Sequence, residues 1–156
     1  MTAHVAEKPK TKESSKVAVA YAAVLAIVAV LQLFTFEKFP DVIASLWLPG
    51  GNSFAYFLAA CIVVAEVFAL PFLLRLKLSH AMRWVSMFFG WLVPLIWLSI
   101  AIWLITSVHN VTNAGLFGAT VPVEPGWWMV FVSTTLGIMA IWASWGLWPK
   151  AHTLRK

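Results

Sequence analysis

The fold of this chain is decided by residues 17–36, which read VAVAYAAVLAIVAVLQLFTF. This stretch carries no charged residue, and its length matches the ~20 residues with which an α-helix crosses about 30 Å of hydrocarbon. A secretory signal has a shorter apolar stretch of about 7–15 residues, followed by small residues at a cleavage site. Bulky residues follow here, so we expect an uncleaved first membrane span.

Three further apolar stretches predict three more spans, at 54–74, 84–108 and 127–148. The chain is 62% hydrophobic and only 11% charged, whereas soluble domains are roughly 45–50% apolar and about 25% charged. A soluble domain of this size would have to expose large apolar patches. The sequence therefore predicts an all-α integral membrane four-helix bundle, with residues 17–148 forming the transmembrane domain.

The segments outside these spans are short. We expect residues 1–16 to form a disordered basic tail and residues 149–156 to form a second basic tail. Between the first two spans, Pro40 suits the first turn of a helix, and Val42, Ile43, Leu46 and Trp47 follow at helical spacing. This pattern predicts a short amphipathic helix at the outer membrane interface.

Charge predicts the orientation of the spans. Of the 11 Lys and Arg residues, all except Lys38 lie in the two tails or in the loop between spans two and three. Basic residues beside a span stay in the cytoplasm. The net charge of +5 is therefore a topology signal and does not indicate a nucleic-acid partner. We expect a bacterial or archaeal plasma-membrane protein with both termini in the cytoplasm.

The residues for several kinds of chemistry are missing from the sequence. Cys61 is the only cysteine, so one chain cannot form a disulfide or a multi-thiolate metal site. We find no nucleophile elbow, zinc-binding His-Glu motif or phosphate loop. We therefore predict no metal site, assign no catalytic residue, and favour a protein without catalytic activity of its own.

Glu66 is the candidate functional acid, because it lies near the middle of the second span. Ala55, Ala59 and Glu66 fall in one narrow arc of a helix with ~100° per residue, so Glu66 is expected to face the bundle. A carboxyl group in the hydrocarbon layer is costly and usually functional. The alternative is a protonated acid that only holds two helices together.

Small residues form stripes that favour close helix packing. In the first span these are Ala18, Ala22, Ala26 and Ala29, and in the fourth they are Ser133, Gly137, Ala140 and Ser144. Ser86 and Gly90 precede Pro94 in the third span, where we expect a kink.

A second candidate site is a polar cluster at the outer membrane face. His109, at the end of the third span, could meet Glu37, Lys38 and Asp41 from the loop after the first span. The alternative is that these four residues are unrelated polar groups at the interface.

Three segments carry a family resemblance: LQLFTFEKFPD at 31–41, LPG at 48–50 and AEVFALPFLL at 65–74. The chain resembles the MauE/DoxX superfamily of small four-span proteins over roughly residues 20–105. Lys38, Phe39, Glu66 and the Arg83 region fit that pattern, while Glu37 replaces a glycine often found before the lysine. The resemblance implies association with quinone-linked or other redox enzymes of the membrane and with redox cofactor biogenesis.

The first functional hypothesis is therefore an accessory or scaffold subunit of a redox system. Its partners would be membrane lipids, redox enzyme subunits or further copies of itself, and a quinone or lipid could lie near Glu66. The second hypothesis is a small proton-linked permease that uses Glu66, with Pro71 and Pro94 as helix breaks. A self-sufficient enzyme ranks third.

Overall fold

The computed structural model describes residues 9–107 and 111–148. In these ranges the chain forms helices and no strand, and the helices in chain order are α1 (Lys12–Phe34), α2 (Phe39–Ala44), α3 (Gly51–Leu73), α4 (His80–Thr106) and α5 (Trp127–Gly146). The predicted all-α class is confirmed.

The four long helices form one bundle, in which α1 packs on α3, α3 on α4, α4 on α5 and α5 on α1. Each is long and apolar enough to cross a membrane. Large apolar side chains such as Phe57, Phe88 and Phe131 are exposed on the outside of the bundle, where lipid is the solvent that accommodates them. The chain is therefore an integral membrane four-helix bundle.

The bundle has two ends that differ in composition. The basic end contains the start of α1, the turn between α3 and α4, and the end of α5. The loop end contains α2 and the segment 111–126 between α4 and α5.

Helix α1 begins at Lys12, inside the segment that the sequence predicted as a disordered tail. The prediction is corrected for residues 12–16, and the reason is a helix cap: the Thr11 side chain accepts a hydrogen bond from the Ser14 amide at 3.1 Å. Glu13 lies in the first turn, and its carboxylate pairs with Lys16 at 3.3 Å. Residues 1–8 and 149–156 lie outside the described ranges.

The other spans differ from their predicted bounds by a few residues. α3 begins at Gly51 and α4 at His80, where the Ser79 side chain caps the helix by accepting from the Met82 amide. α5 ends at Gly146, before the predicted end at Trp148. At α1 and α4 a polar cap extends the helix beyond the apolar stretch that a hydropathy count detects.

Helix α2 is where the sequence predicted a short helix, with Pro40 in its first turn. Its apolar side packs inward, because Phe39, Ile43 and Leu46 are almost completely buried. Of the predicted stripe, Trp47 remains largely exposed. α2 therefore covers the loop end of the bundle and packs mainly on α3.

Pro71 interrupts the hydrogen bonding of α3, and a side chain from α4 fills the gap. The Phe72 amide donates to Ser86 Oγ at 2.9 Å, and Ser86 Oγ donates to the Phe68 carbonyl at 2.6 Å. The Ser86 hydroxyl thus bridges the Phe72 amide and the Phe68 carbonyl, the backbone pair on either side of the proline. Because lipid offers no hydrogen bonds, such repair from a neighbouring helix is how a span tolerates proline.

Pro94 is repaired in the same way by α1. Proline has no amide hydrogen to donate to the carbonyl four residues earlier, which belongs to Gly90. The Tyr21 hydroxyl donates to this carbonyl at 2.7 Å, and the Tyr21 side chain is completely buried. The hydroxyl replaces the donor that the proline removes, and it ties α1 to α4 across the bundle.

We expect Tyr21→Phe to lower the free energy of unfolding by about 1–3 kcal/mol, because it leaves the Gly90 carbonyl buried without a donor. In a Pro94→Ala background the alanine amide can bond to this carbonyl, so the same substitution should cost clearly less. Unfolding of the four proteins in a denaturing detergent titration measures this coupling. Equal costs of Tyr21→Phe in both backgrounds would contradict the repair.

Candidate functional site: a buried polar centre

Three polar side chains meet inside the bundle: Gln32 of α1, Glu66 of α3 and Trp97 of α4. Gln32 and Glu66 are completely buried, and Trp97 is nearly so. Together with the carbonyl of Leu116, from the segment between α4 and α5, they form what we call the polar centre. Glu66 faces the bundle, as its arc with Ala55 and Ala59 predicted.

Helix directions explain why these side chains meet. The Cα–Cβ bond tilts toward the start of its helix. α3 starts at the loop end, so Glu66 tilts toward the loop end. α1 and α4 start at the basic end, so Gln32 and Trp97 tilt back toward Glu66. The antiparallel arrangement therefore brings long side chains from different depths to one point.

Glu66 Oε1 accepts two hydrogen bonds in this centre. Gln32 Nε2 donates to it at 3.2 Å, and Trp97 Nε1 donates at 3.3 Å. Gln32 Nε2 also donates to the Leu116 carbonyl at 3.1 Å. A carbonyl only accepts, so the amide nitrogen of Gln32, and not its oxygen, must face Leu116.

Two oxygens of the centre stay unpaired. Glu66 Oε2 and Gln32 Oε1 are both buried and have no hydrogen-bond partner among residues 9–107 and 111–148. Across these ranges the only ion pair is Lys16 with Glu13, so Glu66 has no cation partner there. A buried oxygen without a hydrogen-bond partner is unfavourable, so these two oxygens are the positions at which the centre can take up a ligand or a proton.

The segment after α4 folds into the loop end of the bundle. Ala114 and Leu116 are buried, and Asn113 holds the turn between them: its side chain accepts from the Gly115 amide at 2.9 Å and donates to the Gly118 carbonyl at 3.1 Å. Non-helical backbone at membrane depth is tolerated where protein surrounds it.

The same segment is fastened to the last turn of α1. Thr35 Oγ1 accepts from the Ala119 amide at 3.1 Å, and the Leu31 carbonyl accepts from the Thr120 hydroxyl at 3.3 Å. With the bond from Gln32 to Leu116, three hydrogen bonds dock the segment on one helix end. The segment therefore covers the polar centre from the loop end.

Gly118 is the point of closest approach in this docking. It has φ +67°, and a Cβ there would lie 2.9 Å from Thr35 Oγ1 and 3.1 Å from the Gln32 Cα. We expect Gly118→Ala to loosen the segment and to speed hydrogen exchange of the Gly118 and Ala119 amides about tenfold or more.

The matched control is Gly51→Ala. Gly51 has φ +72°, so alanine meets the same backbone penalty, but nothing lies within 4 Å of its Cβ position. Hydrogen-exchange mass spectrometry of both variants separates the backbone penalty from the loss of docking. If Gly51→Ala speeds exchange at Gly118 and Ala119 as much, the docking account fails.

The predicted outer polar cluster is only partly described. His109 lies outside the described ranges. Asp41 accepts a hydrogen bond from the Tyr56 hydroxyl at 2.9 Å, a partner that the sequence did not predict. Lys38 provides the N-cap residue of α2, and both it and Glu37 are exposed. The structure therefore does not bring Glu37, Lys38 and Asp41 into one hydrogen-bonded group within the part of the chain it describes.

A lateral apolar groove of about 390 Å³ lies on the lipid-facing side of α3 and α4. Leu58 of α3 and Leu92, Ile96 and Ile100 of α4 line it. Ile96 and Ile100 flank Trp97 along α4, so the groove and the polar centre share one stretch of helix. The groove can hold an alkyl or isoprenoid chain.

Sequence reasoning missed Gln32, Trp97 and Leu116. Gln32 did give a signal, because an amide side chain inside a membrane span is costly and tends to face a polar partner. Trp97 gave none, since it is one of ten tryptophans in this chain and nothing in the sequence sets it apart from the others. The role of Leu116 depends on a backbone carbonyl, which side-chain identity does not reveal.

No family model, no curated protein and no solved structure matches this chain.

Proposed function

We propose that this chain is an accessory or scaffold subunit of a quinone-linked redox system in the membrane, and that its polar centre binds the headgroup of a quinol. The observation that carries this proposal is the pair of unpaired oxygens, Glu66 Oε2 and Gln32 Oε1. Gln32 Oε1 can only accept, and Glu66 Oε2 accepts when the carboxyl group is ionised, so the group that complements the pair must donate. A quinol brings hydroxyl donors on an apolar ring.

Two further features support a lipophilic quinol. The lateral groove along α3 and α4 is apolar and of about 390 Å³, which suits the isoprenoid tail. The resemblance of 31–41 and 65–74 to the MauE/DoxX superfamily implies the same redox setting. Water could also satisfy the two oxygens, and the following experiment distinguishes the two ligands.

Glu66→Gln provides the sharpest variant. Oε1 must remain an acceptor, because Gln32 and Trp97 both donate to it. The new amide nitrogen therefore takes the place of Oε2 and turns an oxygen that accepts in the ionised carboxylate into a permanent donor at constant shape. The preference should shift from quinol toward quinone, whose carbonyl oxygens accept, by about tenfold.

The measurement is binding of a quinol and its quinone to the purified full chain in lipid nanodiscs without oxygen. Trp97→Phe should weaken quinol binding, since it removes one of the two donors that hold the Glu66 carboxyl group. Trp91→Phe is the matched control. Trp91 lies elsewhere on α4, and its indole N–H donates a hydrogen bond to Ser144 of α5, away from the polar centre. A Glu66→Gln protein with the wild-type preference would contradict a quinol headgroup at Glu66.

The subunit role has its own test. Cross-linking in native membranes, followed by purification of the chain, should recover subunits of a redox enzyme. Recovery of the chain alone, or only as a homo-oligomer, would contradict the accessory role while leaving the binding result to stand separately.

The second candidate is a small proton-linked carrier. The observation that favours it is again Glu66 Oε2, which is free to take up and release a proton. Proteoliposomes with a pH-sensitive dye inside test this candidate. Proton flux that Glu66→Gln abolishes and Trp91→Phe preserves would favour the carrier over the scaffold.

The proposed location is a bacterial or archaeal plasma membrane, with the basic end in the cytoplasm. Its support is the bias of Lys and Arg toward the basic end. Lys77→Cys and Lys38→Cys, each made separately in a Cys61→Ala background, should react with an impermeant thiol reagent from opposite sides of the membrane. Labelling of both from the same side would overturn the orientation.

A further inference from the structure

The turn between α3 and α4 contains an arginine in an unusual backbone conformation. Arg75 has φ +57°, in the left-handed region that favours glycine. The Leu76 amide donates to the Pro71 carbonyl at 3.0 Å and the Arg75 amide donates to the Phe72 carbonyl at 3.1 Å, so the turn closes the end of α3. Glycine is the usual residue at such a position, and a strained residue there often has a functional reason.

The guanidinium group of Arg75 is only partly satisfied. Nη1 donates to Ser15 Oγ at 3.1 Å, which links the turn to α1. Nε is buried and has no acceptor in the described part of the chain. A buried cationic donor without an acceptor is costly, so an acceptor from outside the described residues fits here.

Arg75 also lines a small recess at the basic end. Its lining consists of two arginines and four apolar residues: Arg75, Arg83, Phe72, Leu76, Leu78 and Leu147. The enclosed space is about 10 Å³, room for about one oxygen atom or water. None of these described lining residues is acidic, and the guanidinium group of Arg75 brings a positive charge to the recess.

We propose that this recess binds one oxygen of a phosphate group. Arginine is the side chain best suited to phosphate, because its planar group presents several donors and keeps its charge. The recess lies where two spans end, at the level of lipid headgroups. An anionic phospholipid is therefore the expected source of the phosphate, and a free anion is the other.

This site is independent of the proposed function, because it shares no residue with the polar centre. The test measures binding of phosphatidylglycerol to the full chain by native mass spectrometry. Diacylglycerol serves as the phosphate-free lipid, and inorganic phosphate as the soluble competitor. We expect the wild type to bind phosphatidylglycerol in preference to diacylglycerol.

Arg75→Gln should weaken phosphatidylglycerol binding about tenfold. Lys77→Gln is the matched control: Lys77 is exposed in the same turn, so it removes the same charge without touching the recess. Arg75→Gly is the second variant, because glycine is favoured at φ +57° and the turn should keep its shape.

Equal binding by wild type, Arg75→Gln and Arg75→Gly would overturn the site. Inorganic phosphate that displaces the lipid at millimolar concentration would identify a soluble anion as the ligand and overturn the lipid assignment. If Lys77→Gln weakens phosphatidylglycerol binding as much as Arg75→Gln does, the effect comes from general surface charge. That result would also overturn the proposed site.

Discussion

Gly146→Ala is expected to destabilise the bundle more than any other single methyl group added to it. A Cβ at Gly146 would fall on the side chain of Ser14, and it would lie 3.5 Å from the Ser14 Cα. Ser14 is completely buried between the helices, and the Lys10 amide donates to the Gly146 carbonyl at 3.0 Å. α1 and α5 must therefore separate to make room. We expect a loss of about 2–3 kcal/mol in the free energy of unfolding.

Two comparison variants make this prediction specific. Gly137→Ala adds the same methyl group to α5, where the nearest atom is Pro94 Cβ at 3.9 Å. It should be neutral or slightly stabilising, because alanine favours helices over glycine by up to about 1 kcal/mol. Ser14→Gly removes the atoms that clash, so the double variant Ser14→Gly/Gly146→Ala should recover most of the loss. Detergent unfolding titrations of the four proteins provide the comparison, and a double variant as unstable as Gly146→Ala would refute the contact.

The small-residue stripes anticipated this packing only in part. Ser133, Ala140 and Ser144 of α5 are buried, as their common face predicts, because spacing along one helix fixes which residues share a face. A tight contact between α1 and α5, however, is at Gly146, where a Cβ would meet Ser14. Contact between two helices depends on how far one is shifted along the other and on how each is rotated about its axis. The residue pattern of a single helix specifies neither quantity.

The polar centre, too, could be predicted from the sequence only in part. Glu66 was predictable, because a carboxyl group inside a span must face protein and its arc points to the bundle. Gln32 is as buried as Glu66, but its partner depends on how far α1 is shifted along α3. The Leu116 carbonyl depends on a loop that folds into the bundle, and hydropathy assigns such a loop to the membrane surface. Periodicity therefore predicts faces, while the contacts between helices require the assembled bundle.

Gln32→Leu is expected to have the second large effect, because Gln32 Nε2 is the donor shared by α3 and the docked segment. Leucine has a similar size but no donor, so the Leu116 carbonyl and Glu66 Oε1 both lose a hydrogen bond at 3.1 and 3.2 Å. Each buried acceptor left unpaired costs about 1–3 kcal/mol. Trp97 still donates to Glu66, so Leu116 should carry the larger share of the loss. Leucine also removes the unpaired Gln32 Oε1, which offsets part of this loss, so we expect about 2 kcal/mol in total.

Glu66→Gln is the matched comparison for stability. It keeps the shape of the side chain and the acceptor that faces Gln32 and Trp97, so it should change the free energy of unfolding by less than about 1 kcal/mol. The two substitutions therefore separate structure from ligand binding: Gln32→Leu should unfold at lower denaturant and speed exchange at Leu116, while Glu66→Gln should change mainly the quinol preference. A Gln32→Leu protein as stable as Glu66→Gln would mean that Gln32 does not hold the docked segment in place.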